Sequence, residues 1–297
     1  MHRIGCRHRA DAPLLPMVAN DPARRPRRVF DLIIFGQSAS IVLNLRMTLL
    51  CDSIHRGFIA VADWSSTENA SRSIDFSSGL DLSACPKYSL AVCQYTPAPC
   101  PRSASHCAKR SIAAHRLALY EQQFECLREH FKQEGTRRDL GIVTEHDEIP
   151  FPSLLQSAVH ETRGLVTSLF FYYHVECMST SRWDMGVIAT GDDIIARPGA
   201  LYLTRDTARR QPELAYREQS WHFSTFMTPE EVVRKNAAAS LHPECNRPPF
   251  TSVEWQREAQ RKCVQFCGGE RLRKTPASIR QSLPPPLLAM LNRSRSR

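Results

Sequence analysis

The sequence predicts an α+β domain of predominantly helical character. Three to five helices pack with a small antiparallel hairpin or meander, and disordered basic arms flank them. Three observations carry that expectation. Apolar residues recur at helical spacing mainly in the middle of the chain. Short apolar pieces bounded by turn residues lie between Arg182 and Asp206. Positive charge concentrates at the two ends.

Taken in order, residues 1–105 read as a low-order region, either a targeting segment or an extension ahead of a start at Met47. The apolar stretch from Val29 to Cys51 is interrupted by Asp31, Gln37, Asn44 and Arg46. Charges such as Asp31 and Arg46 cost ~2.5–3.5 kcal/mol each in lipid, so no transmembrane span is expected. Residues 65–111 are rich in Ser, Pro and Cys and read as loop. Helical periodicity then begins. Ile112, Leu117, Tyr120, Phe124, Leu127 and Phe131 mark one amphipathic helix that Gly135 ends.

After Pro150-Phe151-Pro152, Ser153 caps a second helix, in which Leu154, Leu155, Val159, Leu165, Val166, Leu169, Phe170 and Tyr173 fall on one arc. Phe170-Phe171-Tyr172-Tyr173 also suits a strand, but the longer arc favours the helix. Met185–Thr190 and Ala200–Thr204 form the hairpin, and alternating Trp221 and Phe223 add a strand. Thr228-Pro229-Glu230-Glu231 starts a helix with a cap, an N1 proline and an acidic first turn. Thr251 or Ser252 starts the last helix, which runs to Gly268-Gly269. The folded domain spans 111–268, and 269–297 is a basic disordered tail.

The formal charge is +9 at pH 7. Much of it sits in the arms, so RNA or DNA is an expected partner through Arg24, Arg25, Arg27 and Arg28 at one end and Arg293, Arg295 and Arg297 at the other. Arg24 to Arg28 also resembles a nuclear-import address, and an Arg-rich, acid-poor start suits a mitochondrial presequence. The expected location is intracellular, in nucleus or mitochondrion.

The leading chemical candidate is a structural zinc site formed by His242, Cys245, Cys263 and Cys267. The first pair lies on a proline-containing loop and the second at i and i+4 of the last helix, so four S/N ligands can meet tetrahedrally. A disulfide or ordinary buried thiols compete with it. Cys85, Cys93, Cys100 and Cys107 lack zinc-knuckle spacing and read as loop thiols. Glu145-His146-Asp147-Glu148 reads as a solvated loop, with acid–base or metal chemistry as the alternative. There is no P-loop, G-x-G-x-x-G or G-x-S-x-G.

The expected function is therefore a non-enzymatic, helix-rich subunit or adaptor of a larger intracellular assembly, with other protein subunits as partners. Two alternatives stand beside it. One is an enzyme with a site assembled from scattered residues such as His146, Glu148, His160 and His174; the other is a zinc-stabilised nucleic-acid-binding protein.

Overall fold

The computed structural model describes residues 27–34, 40–63, 79–94, 107–158, 164–196, 215–239, 245, 247–267 and 271–293. Its core is a ten-stranded mixed sheet, so the fold is α/β and the expectation of a predominantly helical domain is wrong. The strands are β1 (Val29–Ile34), β2 (Arg56–Asp63), β3 (Tyr88–Gln94), β4 (Leu140–Glu145), β5 (Glu148–Pro150), β6 (Gly164–Tyr172), β7 (Cys177–Met178), β8 (Trp183–Thr190), β9 (Ala215–Ser224) and β10 (Arg273–Lys274). The helices are α1 (Ser40–Leu50), α2 (Cys107–Glu134), α3 (Pro152–Ala158), α4 (Gly191–Ala196), α5 (Pro229–Ala239), α6 (Val253–Lys262), α7 (Ala277–Ser282) and α8 (Pro285–Arg293).

The sheet has two halves. In the first, β3, β2, β1 and β4 run parallel in that spatial order, with α1 between β1 and β2 and α2 between β3 and β4 in the chain. Residues 29–94, expected to be low-order, supply three of these four strands. β1 is buried along its whole length, and all of its residues but Asp31 are apolar. In the second half, β8 pairs antiparallel with β4 and β6, and β9 runs parallel to β6.

Helices cover both faces. Leu43, Met47 and Leu50 of α1 pack with Val29, Ile33, Ile59 and Ile142 on one side. Phe124, Leu127 and Phe131 of α2 pack with Phe30, Leu32, Phe58 and Val143 on the other. Residues 164–172, expected to be helical, form β6 instead. Leu169 and Phe171 enter one apolar cluster while Phe170 and Tyr172 enter another. A strand buried on both faces reads as an unbroken apolar run, which periodicity alone cannot separate from a helix.

The C-terminal segment is also part of the fold. Leu283 and Leu287 are buried beside Phe171, Trp221 and Phe223, so α7 and the start of α8 are packed where a disordered tail was expected. The last predicted helix stops earlier than expected. α6 begins on its predicted cap, with Ser252 Oγ accepting from Trp255 N at 3.1 Å, and ends at Cys263, which takes a left-handed conformation with φ of 51°. Among the described residues, no helix is long and apolar enough to cross a membrane.

Candidate functional site

Strand order reverses at β1. From there the chain first builds outward through β2 and β3, then returns to lay β4 on β1's other edge. In open α/β sheets such a reversal leaves a crevice at the carboxyl ends of the strands, where ligands bind. In this chain the carboxyl end of β4 carries Glu145, the two-residue turn His146-Asp147 follows, and Glu148 opens β5.

The expectation of a solvated loop fails here, because all four residues are buried. Backbone bonds hold the turn in place. His146 N donates to the Ile34 carbonyl at the end of β1 at 3.0 Å, and Phe223 N of β9 donates to the Asp147 carbonyl at 2.8 Å. β5 then pairs with β9, setting Glu148 opposite His222.

Each carboxylate meets a side chain from a different element. Glu145 Oε1 accepts from the Tyr120 hydroxyl of α2 at 3.2 Å. Asp147 Oδ1 lies 3.6 Å from His222 Nδ1. Glu148 Oε1 accepts from the Trp183 indole at 3.0 Å and from Glu145 N at 3.3 Å. Gly186 makes room for that carboxylate: a Cβ there would stand 3.1 Å from Glu148 Oε2 and 2.9 Å from Thr144 Cγ2. The Trp183 ring stacks on His222 at 4.5 Å, and Phe170 meets His222 edge-on at 4.7 Å. Carboxylates and an aromatic wall thus share one end of the sheet.

Behind the turn lies a buried charge network. Arg46 of α1, wholly inaccessible to solvent, pairs with Asp31 of β1 through both Nε, at 3.0 Å, and Nη2. Tyr88 donates its hydroxyl to Asp31 at 2.7 Å. Burial works against the Arg46 charge, but the Asp31 carboxylate outweighs it and raises the guanidinium above its ordinary value. Burial, reinforced by Asp31, pushes the Tyr88 phenol well up and keeps it protonated as a donor.

Of the expected zinc ligands, Cys245 and Cys267 are brought together, but as a disulfide. Cys263 bonds Cys177, and His242 lies outside the described residues. The i and i+4 geometry fails because α6 ends at Lys262, before either cysteine. A different group of metal-capable atoms does cluster: those of His174, Cys177 and Cys263 lie within 4.8 Å of one another. His174 Nε2 is 3.3 Å from Cys177 Sγ. Cys85 and Cys93, expected to be loop thiols, pair with Cys51 and Cys126.

Of the residues proposed for a scattered active site, His146 and Glu148 share the turn, His174 sits in the cysteine group, and His160 lies outside the described residues. Among the basic-arm residues, Arg28 is engaged with Asp139 at 2.7 Å, while Arg24, Arg25, Arg295 and Arg297 lie outside the described residues. Tyr120, Trp183, His222, Asp31 and Arg46 had no sequence signal tying them to the turn. The four contiguous polar residues before Ile149-Pro150 were the one local clue.

No family model and no curated protein matches the sequence. Among solved structures, the inositol-1-phosphate CTP transferase from T. maritima is similar with a TM-score of 0.33 and 8% identity, over 67% of this chain and 89% of that one. A likeness that slight says nothing about activity.

Proposed function

We propose that this chain is a divalent-cation-dependent transferase that takes its donor group from a nucleoside-diphosphate-linked compound, with a sugar nucleotide as the donor class. The observation that carries this reading is the carboxylate-rich turn 145–148 at the strand-order reversal. Magnesium or manganese in nucleotide sites is held by one or two carboxylates, and the substrate phosphates complete the shell. In this reading Glu145 and Asp147 would supply that share. The cation would neutralise charge developing on the departing diphosphate. His222, whose Nδ1 lies 3.6 Å from Asp147 Oδ1, is the candidate acceptor of the incoming hydroxyl's proton. The sugar class is proposed because Trp183, half-buried and stacked on His222, offers an aromatic surface beside the turn.

This reading takes up the enzyme alternative in preference to the adaptor. The four disulfides among the described residues support an oxidising compartment, where such bonds persist, over nucleus or mitochondrion. Zinc enters only for reduced protein, in which His174, Cys177 and Cys263 would offer one imidazole and two thiolates.

Calorimetry with UDP, GDP and CDP, each with and without Mn²⁺, tests the proposal. At least one nucleotide is expected to bind with cation dependence, and Asp147→Asn to weaken it on the order of tenfold or more. Absence of cation-dependent binding for all three would overturn it.

A further inference from the structure

We infer that Arg46 is a positioning residue that fixes the backbone of the 145–148 turn from beneath. Its Nη1 donates to two main-chain carbonyls of that turn, Glu145 at 2.9 Å and Glu148 at 2.7 Å. These two bonds span the turn from its first residue to its last, so one planar group sets the separation of its ends. The guanidinium's orientation is fixed in turn by Asp31, which grips Nε and Nη2 together, and Asp31 is steadied by the Tyr88 hydroxyl.

Three strands are thereby coupled to the turn through a single side chain: β1 through Asp31, β3 through Tyr88 and β4 through its last residue. A planar fork with several fixed donors can do this, whereas a lysine ammonium carries charge without the fork. The full burial of both Arg46 and Asp31 excludes a solvating surface role. Arg46 faces the main chain of the turn, leaving the carboxylate side chains of Glu145 and Asp147 to act. This inference rests on the reading of the turn as a cation and nucleotide site.

The test compares Arg46→Lys and Tyr88→Phe with the unmodified protein by hydrogen exchange and by Mn²⁺ binding in the presence of a nucleoside diphosphate. In Arg46→Lys, the His146 and Phe223 amides should lose protection while Ile33 and Ile59 in the sheet keep theirs. Mn²⁺ binding should weaken on the order of tenfold or more, as for other outer-shell supports of a metal site. Tyr88→Phe, which leaves both carbonyl bonds in place, should shift the same two readouts in the same direction by a smaller factor. Unchanged exchange at His146 and Phe223 in Arg46→Lys would overturn the positioning role. Should that variant fail to fold, unchanged exchange in a folded Tyr88→Phe would overturn it. Unmodified protein that binds no Mn²⁺ would defeat the cation reading alone, and the exchange comparison would still decide on Arg46.

Discussion

Asp139 closes the turn before β4 by accepting from Arg28 Nη2 at 2.7 Å and from Thr136 N and Oγ1 at 2.6 and 2.8 Å. Burial opposes its charge, yet the Arg28 and Thr136 donors prevail and hold the carboxyl below its ordinary value. A carboxyl lowered in the folded state adds stability above the unfolded value of ~3.9, and loses it as pH falls through the folded value. Asp139→Asn should therefore lower the melting temperature at pH 7, with the gap to the unmodified protein closing below about pH 4. Melting curves from pH 3 to 7 check this, and a constant gap would refute it. The same scale explains a misreading. Asp31 and Arg46 argued against a membrane span over Val29–Cys51, but the stretch was also read as low-order, and the structure buries it with these two charges as partners of each other. In sequence they are two interruptions. Folded, they form one ion pair whose halves cost ~3–5 kcal/mol to separate by removing either partner.

Elements whose two faces differ were legible, and elements covered on both faces were not. α2, α5 and α6 alternate buried and exposed positions or carry explicit start signals, such as Thr228 Oγ1 accepting from Glu231 N at 3.2 Å while Glu231 accepts from Thr228 N at 2.8 Å. β1 and β6 lie inside the sheet between helices, so the pattern that marks a half-buried strand is missing. The candidate site was legible only as a polar run, because burial of residues 145–148 depends on β9, α1 and α2, elements distant in sequence. Covalent links tie such distant elements together. Cys51–Cys85 joins the end of α1 to the turn before β3 across a separation of 34 residues. Loop-closure entropy for a ring of that size gives about 3–4 kcal/mol, so Cys51→Ser with Cys85→Ser should destabilise the fold by roughly that amount in urea unfolding. A change below ~1 kcal/mol would mean the bond is not formed or not needed.

For the molecule as a whole, the closing α7–α8 segment is structural cover for the second half of the sheet. Removing residues 276–297 would bare the cluster around Phe171, Trp221 and Phe223 and lose the burial of Leu283 and Leu287. Two fully buried leucines contribute on the order of 3–6 kcal/mol, enough to shift the melting temperature by several degrees. A truncated protein that melts with the full chain would show the segment to be dispensable. The sheet's order has a consequence in time. β2 follows β1 closely in the chain, but β4, the partner of β1's other edge, is made much later: Arg28 and Asp139, which flank that pairing, are 111 residues apart. A ribosome adding about 5–20 residues per second needs roughly 6–22 s to make that interval. Throughout it the nascent chain carries a mostly apolar strand with one edge still lacking its partner, and Arg46 has no turn to grip. The birth of this protein is thus its most adhesive moment, and the carboxylate turn is among the pieces that end it.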